Sequence, residues 1–264
     1  MKIIDLHVHF RENPNIVAKE LKKFNVEFVC PMPNTKKSLD TKDKILNYNK
    51  KIKALKSFPV SAITIDRAGK KLVNIEKIKP HVIGFSDDGN CLKNLKLLEK
   101  AFSHNDLIMA HLEPEVEMVK KYISTLAKMS QRGWLYFQHV SKYQTVELIR
   151  KAKKSGLKIF AETCPQYFAF NNRFEDLKIN PPYGGEKDNR AVLNGLKDGT
   201  IDVIASDFAP VPRPKKTGFA SYMTFIALCN YLVESKILTK KQLQDKLYNN
   251  PKKIIKLANP NCKI

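Results

Sequence analysis

Eight short apolar segments alternate with longer amphipathic segments along most of this 264-residue sequence. The apolar segments are short and β-prone, which is typical of buried strands. The predicted strands cover residues 3–10, 26–32, 59–64, 82–86, 107–112, 135–140, 158–163 and 203–206. Eight strands that alternate with helices over about 250 residues predict an α/β fold, a (β/α)8 barrel. We expect it to occupy residues 1–264 as a single domain.

Three of the intervening segments have a clear helical pattern of apolar residues. We expect helices over residues 116–129, 144–154 and 189–197, the last with Asp188 as its N-cap. The alternative fold is a doubly wound open sheet, which more often has a glycine-rich phosphate-binding turn after its first strand. The sequence has only ten glycines and no such turn, so the barrel is favoured.

Histidines and aspartates stand where several of the predicted strands end. In a barrel the C-terminal ends of all strands meet at one face, where the chemistry of such folds collects. Four imidazoles and two carboxylates that converge there predict a dinuclear site for a metal such as zinc, with an acidic residue between the ions. The predicted ligands are His7, His9, Asp88, His111, His139 and Asp207.

Each of these residues has a simpler interpretation when it is taken alone. Two histidines near a frayed N-terminus are more often solvated, and a carboxylate after a strand is more often a cap. Asp88, which precedes Gly89, has the composition of a turn. The metal site is favoured because four of the six histidines occupy equivalent positions at strand ends.

The formal net charge of +21 would fit a protein that binds nucleic acid. However, only seven of the 47 basic residues are arginine, and the lysines are spread along predicted helices without aromatic residues between them. This pattern is typical of solvated helix faces, so we do not expect nucleic-acid binding. A small anionic substrate is consistent with the same charge.

The five cysteines are an odd number without paired spacing, which indicates reduced thiols and a cytoplasmic protein. A membrane-spanning helix needs a run of about 18 apolar residues, and the sequence contains none. We therefore expect no membrane association. The first predicted strand begins at residue 3, which leaves no room for a signal peptide.

The order of these motifs resembles the dihydroorotases of the amidohydrolase superfamily. The sequence has D-x-H-x-H-x-R at 5–11, M-P-N-T at 32–35 and F-S-D-D-G at 85–89. The last motif is similar to that of members in which an aspartate replaces a carboxylated lysine. His111, His139, the N-P-P at 180–182 and the segment 198–207 match the later motifs. The resemblance spans roughly residues 3–256. The sequence has no counterpart of the small β domain that flanks the barrel in most relatives.

The resemblance implies a metal-dependent hydrolase that binds two zinc ions per chain. The implied reaction is the reversible cyclisation of N-carbamoyl-L-aspartate to L-dihydroorotate in de novo pyrimidine biosynthesis. One ion would be held by His7, His9 and Asp207, the other by His111 and His139, with Asp88 as the bridge. Asp207 would also act as general base and then as general acid.

Three further residues are implied in substrate binding. Arg11 and Asn34 would hold the substrate α-carboxylate, since the planar guanidinium of arginine pairs with a carboxylate through two hydrogen bonds. Asn180 would contact the substrate elsewhere. The partners that the resemblance implies are a second copy of the chain and aspartate transcarbamoylase.

The sequence departs from the family pattern in its last motif. The usual D-H-A-P-H is replaced by residues 207–211, so Phe208 and Val211 stand where the family has histidines. The second of these histidines normally helps to bind the substrate carboxylate, which valine cannot do. Arg213 could replace it, although a solvated loop arginine is an equally good interpretation.

Three other functions remain open at this stage. A hydantoinase or allantoinase type of cyclic amidohydrolase is suggested by the E-T-C-P at 162–165, although Asp88 in place of a bridging lysine argues against it. A non-catalytic partner of aspartate transcarbamoylase would explain the histidine missing at Val211, but six ligands are retained. A metal-dependent nuclease of the same superfamily would fit the basic charge.

Overall fold

Short parallel strands form the wall of a barrel at the centre of the protein. The computed structural model describes residues 1–129, 132–173, 179–210 and 221–264. Within these ranges the strands are β1 (Ile3–Val8), β2 (Val26–Pro31), β3 (Lys56–Ser57), β4 (Leu107–Ala110), β5 (Trp134–Phe137), β6 (Ile159–Thr163) and β7 (Val203–Ile204). They pair in sequence order as two sheets, β1-β2-β3 and β4-β5-β6-β7, and every pairing is parallel.

An extended segment around Phe85 joins the two sheets. Phe85 forms single parallel bridges with Ser61 on one side and with Ile108 on the other. The amide of Ser61 donates to the carbonyl of Gly84 over 3.0 Å. Glycine is required there because a Cβ would lie 2.6 Å from the carbonyl oxygen of Leu107. The third and fourth predicted strands thus take part in the wall, with shorter regular pairing than predicted.

The barrel closes between β1 and the residues that follow β7. Val8 and Phe208 form a parallel bridge. The amide of Asp207 donates to the carbonyl of His7 over 3.0 Å, and the amide of His9 donates to the carbonyl of Phe208 over 2.8 Å. Eight strand positions therefore form a complete ring, and the predicted (β/α)8 barrel is confirmed.

Helices surround this ring and connect its strands. In the described ranges they are α1 (Pro14–Lys22), α2 (Lys42–Asn49), α3 (Ile75–Ile78), α4 (Leu95–Phe102), α5 (Glu115–Lys128), α6 (Tyr143–Lys154), α7 (Gln166–Ala169), α8 (Glu186–Asp198), α9 (Tyr222–Glu234), α10 (Lys240–Gln244) and α11 (Asn250–Ala258). The predicted helices over 116–129 and 144–154 are confirmed to within one residue at each end. None of the helices in these ranges is long and apolar enough to cross a lipid bilayer.

The predicted N-cap of α8 was wrong. The helix begins at Glu186 with Gly185 as its cap, and Asp188 is its third residue. The Asp188 carboxylate accepts from the amide of Gly185 over 2.9 Å and from the amide of Tyr143 over 2.8 Å. An aspartate at this position satisfies a free amide at the helix start as a capping residue would, which explains the error.

Apolar side chains fill both the inside of the barrel and the layer between strands and helices. The inner group takes alternate residues from the strands, among them Ile4, Leu6, Phe28 and Met109, together with Ile255 of α11. The outer group packs the other faces of the strands against the helices. Polar side chains are concentrated at the C-terminal ends of the strands, where a barrel of this type carries its chemistry.

Candidate metal centre

The six predicted ligands lie together at the C-terminal end of the barrel. His7 is in β1, and the others follow the ends of β1, β4, β5 and β7 or the bridging segment at Phe85. Five of the six are buried, and Asp207 is partly exposed, with 14% of its side chain accessible. The burial of so many ionisable groups is costly unless they are paired or bind an ion.

An irregularity in β1 turns His7 and His9 toward this end of the barrel. Ile4 and Leu6 point into the barrel, whereas Val8 and Phe10 pack in the outer layer. The pairing of β1 with β2 shifts register between Asp5 and Val8, which reverses the alternation of side chains. Such bulges commonly re-aim side chains beside functional sites. Here the bulge explains how an apolar strand delivers two imidazoles to one site.

Asp88 lies between two pairs of imidazoles. The candidate ligand atoms of His7, His9 and Asp88 all lie within 4.8 Å of one another, and so do those of Asp88, His111 and His139. Asp88 Oδ1 is 3.3 Å from His7 Nε2 and 3.7 Å from His111 Nδ1. One carboxylate is therefore shared by both sets of donors.

Asp207 completes the first set. Its Oδ1 is 2.8 Å from His9 Nε2 and 3.5 Å from His7 Nε2. The sequence-predicted ligands are therefore brought together as two adjoining sets of nitrogen and oxygen donors. This donor chemistry suits zinc and similar divalent metals.

The imidazole of His7 offers a direct test of whether a metal ion fits. Its Nε2 is fully buried, and within the described part of the chain it has no hydrogen-bond partner. Its Nδ1, by contrast, is engaged by Glu162 Oε1 at 2.5 Å. A buried nitrogen without a partner is costly, and a metal ion beside Asp88 and Asp207 would satisfy it. The residues present therefore fit a bound metal.

The electrostatics of the site also favour a cation. Burial alone would raise the pKa of the Asp88 carboxyl, but the charges of His9, His7 and His111 lower it well below its usual value. Burial likewise opposes ionisation of Asp207, and the charges of His7 and His9 lower the pKa of that carboxyl. Both carboxylates are thus ionised at neutral pH.

The second pair of imidazoles is neutral. Burial, followed by the unfavourable proximity of the His111 and His7 imidazoles, lowers the pKa of His139 to about 3. Burial also lowers the pKa of His111. Burial would lower the pKa of His7 as well, but the charges of Glu162, Asp207 and Asp88 raise it well above its usual value. Neutral imidazole is the form that binds a metal, and the surroundings of His7 attract positive charge.

Three site residues have backbones in the left-handed region. Arg11, His139 and Asp207 have φ values of 52°, 35° and 50°. Residues other than glycine adopt this region at an energetic cost, and such residues cluster at functional sites. The strain at these positions is consistent with selection for function at this end of the barrel.

The predicted substrate-binding residues line a space beside the same ligands. A cavity of about 160 Å³ is bordered by Arg11, Asn34 and Asn180 as well as by five of the six predicted ligands. Arg11 Nη1 donates to the backbone carbonyl of Asn34 over 2.8 Å. The volume admits only a small molecule. A larger groove of about 820 Å³, lined by residues such as Asp40 and Lys77, contains none of the predicted site residues.

The side chain of Asn34 connects the two halves of the site. Its Oδ1 lies 2.9 Å from His9 Nδ1, and its Nδ2 donates to Asp88 Oδ2 over 2.8 Å. Asn180 is placed more loosely, with its Nδ2 3.4 Å from His111 Nε2. Asn34 therefore touches two predicted ligands in addition to facing the cavity.

Three residues that support the site were not predicted from the sequence. Glu162 contacts His7, and Arg67 Nη1 donates to the carbonyl of Asp88 over 2.7 Å. Asp87 accepts from the amides of Ile63 and Thr64 over 3.1 and 3.0 Å, which ties the Asp88 loop to the preceding one. An acidic residue within the apolar strand 158–163 was a usable signal for Glu162. The sequence carries no comparable signal for Arg67.

The altered last motif is only partly within the described residues. Phe208 is buried, and its ring packs 5.7 Å from that of Tyr222, so it fills the core where the family pattern has a histidine. Val211 and Arg213 lie outside the described residues. That Arg213 replaces the second histidine of the family motif therefore stays a prediction.

The chain is similar in sequence to curated dihydroorotases. It is 30% identical to the dihydroorotase of Acetivibrio thermocellus, in an alignment that covers 96% of this chain and 72% of the relative. It is 29% identical to the dihydroorotase of Trichlorobacter lovleyi, with 99% and 74% covered. No protein-family model matches the chain.

Solved structures of a dihydroorotase and of a dihydropyrimidinase share the fold. A dihydroorotase from Saccharomyces cerevisiae, in complex with 5-fluoroorotic acid, superposes with a TM-score of 0.78 at 14% identity, covering 99% of this chain and 85% of that one. A dihydropyrimidinase from Brevibacillus agri superposes with a TM-score of 0.77 at 16% identity, covering 96% and 70%. At these identities the likeness establishes the fold alone.

Proposed function

The chain belongs to the dihydroorotase family, and from this premise we propose that it is a zinc-dependent dihydroorotase. The proposed reaction interconverts N-carbamoyl-L-aspartate and L-dihydroorotate in pyrimidine biosynthesis. The observation that carries the proposal is the position of Asp88, shared by two pairs of imidazoles beside a cavity of small-molecule size.

We assign two zinc ions per chain to this site. His7, His9 and Asp207 would hold one ion, His111 and His139 the other, and Asp88 would contact both. When bound, the ions would lower the pKa of water toward about 7 and polarise the carbonyl group of the substrate ring. The unsatisfied Nε2 of His7 and the mixed nitrogen and oxygen donors support this assignment.

The chain's own residues would supply the proton transfer. Asp207 is ionised and lines the cavity, so it can accept a proton from the attacking water as general base. In hydrolysis it would then deliver this proton to the ring nitrogen as the carbon–nitrogen bond breaks. In cyclisation the same carboxylate would act in the reverse order.

Substrate binding is assigned to the polar residues at the rim of the cavity. Arg11 would pair with the α-carboxylate through two parallel hydrogen bonds from its planar guanidinium. Asn34 would donate to the same carboxylate with an N–H that it does not use toward Asp88, and Asn180 would contact the substrate near His111. A homodimer, aspartate transcarbamoylase as a partner and a cytoplasmic location stay predictions from the sequence.

A hydantoinase-type activity is the second candidate. It is favoured by the residues 162–165, and it is disfavoured by Asp88, which stands where those enzymes have a bridging lysine. Retention of all six ligands in one site likewise disfavours a non-catalytic role.

Purified protein loaded with zinc should be assayed in parallel with carbamoyl aspartate, dihydroorotate, hydantoin and allantoin. We expect turnover of the first two compounds, with Asp207→Asn inactive toward both. Turnover of hydantoin or allantoin alone would favour the second candidate. A zinc-loaded protein inactive toward all four would contradict an enzymatic role in this substrate class.

A further inference from the structure

Glu162 is a buried carboxylate that contacts both halves of the metal centre. It lies in β6 and is fully inaccessible to solvent. Its Oε1 is 2.5 Å from His7 Nδ1 and accepts from the backbone amide of His139 over 3.3 Å. Its Oε2 accepts from the hydroxyl group of Tyr136 over 2.6 Å. Three strands of the barrel therefore meet at this one side chain.

Two side chains, Glu162 and Gln138, approach His7 Nδ1, and their distances show which of them is its hydrogen-bond partner. Gln138 Nε2 is also 3.3 Å from His7 Nδ1, but this amide nitrogen can only donate. Gln138 is in addition bonded to Ser86 Oγ at 2.9 Å and approaches Met32 Sδ at 3.3 Å. The shorter contact is with a carboxylate, which can only accept. His7 Nδ1 therefore donates to Glu162, and Nε2 is the nitrogen that faces Asp88 and Asp207.

Tyr136 holds Glu162 in position for this contact. Burial, followed by the charge of Glu162, raises the pKa of the Tyr136 hydroxyl well above its usual value, so it remains a donor. A fully buried carboxylate is costly unless its oxygens are occupied, and here each oxygen has at least one donor.

We propose that Glu162, supported by Tyr136, is a positioning residue that fixes the His7 ring with its proton on Nδ1 and Nε2 directed at the metal. This inference rests on the proposed metal centre and assigns to Glu162 a role in holding the ion between His7, His9 and Asp207. Carboxylates that accept the second N–H of a ligating histidine raise its basicity and fix its orientation. Their removal typically lowers metal affinity by about 10- to 100-fold.

The test compares zinc affinity, measured by competition with a chromophoric chelator, in four proteins. Glu162→Gln keeps the shape of the side chain but removes its charge, and we expect about 10- to 100-fold weaker binding of one ion. Tyr136→Phe removes only the support of Glu162, and we expect a smaller loss. Asp202→Asn alters another carboxylate of the barrel, which bonds the amide of Ala161 over 2.8 Å and contacts no imidazole in the described residues. We expect it to lower the melting temperature and to leave zinc affinity unchanged.

The zinc affinities distinguish a failure of the role of Glu162 from a failure of the metal centre itself. Equal zinc affinity in the wild type and in folded Glu162→Gln would overturn the role of Glu162 and leave the metal centre standing. A wild-type protein that binds no zinc would overturn both. If Glu162→Gln does not fold, long-range ¹H–¹⁵N spectra of the zinc-loaded wild type decide the matter. A His7 protonated on Nδ1 supports the proposal, and a proton on Nε2 overturns it.

Discussion

His9 Nε2 lies 2.8 Å from Asp207 Oδ1, although the two residues are 198 positions apart in the sequence. The contact is possible because the backbone of residues 7–9 pairs directly with that of residues 207 and 208. Closure of the barrel and assembly of the first set of predicted ligands are thus the same structural event.

Asp88→Ala should lower the zinc content from two ions per chain to one or none. Asp88 Oδ1 lies 3.3 Å from His7 Nε2 and 3.7 Å from His111 Nδ1, and without it two cations would face each other with no charge between them. Elemental analysis after dialysis against zinc-free buffer measures the change. Two tightly held ions in the variant would exclude a shared role for this carboxylate.

Asp87→Ala should destabilise the fold although the residue is next to Asp88 in the sequence. The substitution leaves the buried amides of Ile63 and Thr64 without an acceptor. We expect the free energy of unfolding to fall by about 2–4 kcal/mol, measured by urea denaturation of the metal-free protein. Asp87→Asn keeps one acceptor oxygen and should lose less. Equal stability of the two variants would show that these amides find other partners.

Arg11→Lys should raise KM for dihydroorotate more than it lowers kcat. Lysine keeps the charge but cannot form two parallel hydrogen bonds with a carboxylate. The variant should therefore bind dihydroorotate more weakly in the ground state, which raises KM. Steady-state kinetics at fixed zinc concentration measure both constants. Arg173→Lys, an exposed arginine paired with Glu186, serves as the control and should be unchanged. Identical kinetics for the Arg11 variant would exclude a bidentate contact.

Asn34→Ala should weaken zinc binding as well as substrate binding. Its side chain bonds His9 and Asp88, so its loss frees one ligand from each set. We expect a decrease in zinc affinity of about 10-fold, at the lower end of the range for residues that orient metal ligands. Chelator competition and KM should be measured on the same preparation. A change in KM alone would limit Asn34 to the substrate.

Val211→His should improve kcat/KM for dihydroorotate if nothing replaces the missing family histidine. One charge-assisted hydrogen bond corresponds to roughly 1.5–3 kcal/mol, or about a ten- to hundredfold change in KM. If Arg213 or one of the lysines 215 and 216 already supplies the charge, Arg213→Ala should raise KM instead. An active enzyme indifferent to both substitutions would show that this segment does not touch the carboxylate. Other cyclic amides would then become stronger candidates.

The convergence of the six predicted ligands could be predicted from the sequence because barrels gather the C-terminal ends of their strands at one face. His111 and His139 needed only this rule to be placed beside His7. The rule does not say which side chains meet across the inside of the barrel. The contact between Glu162 and His7 depends on the bulge in β1, which the apolar pattern of residues 3–10 does not reveal.

Regular pairing was harder to predict than the presence of strands. The fourth predicted strand, residues 82–86, forms only single bridges, and within it Gly84 lies against the carbonyl of Leu107, a neighbour distant in sequence. The cap of α8 was mispredicted because an aspartate at the third helical position bonds the same free amides as one at the cap. Both differences arise from contacts that local composition does not encode.

The pairing of residues 7–9 with residues 207 and 208 also sets the order in which the protein can mature during synthesis. His7 and His9 leave the ribosome about two hundred residues before their pairing partners, as the separation of 198 positions between His9 and Asp207 shows. Until then β1 has an unpaired edge, the kind of surface through which unfinished chains associate wrongly. The arrival of residues 207 and 208 covers that edge and adds the last of the predicted ligands in one step. The backbone pairing that removes the exposed edge therefore also completes the predicted ligand set.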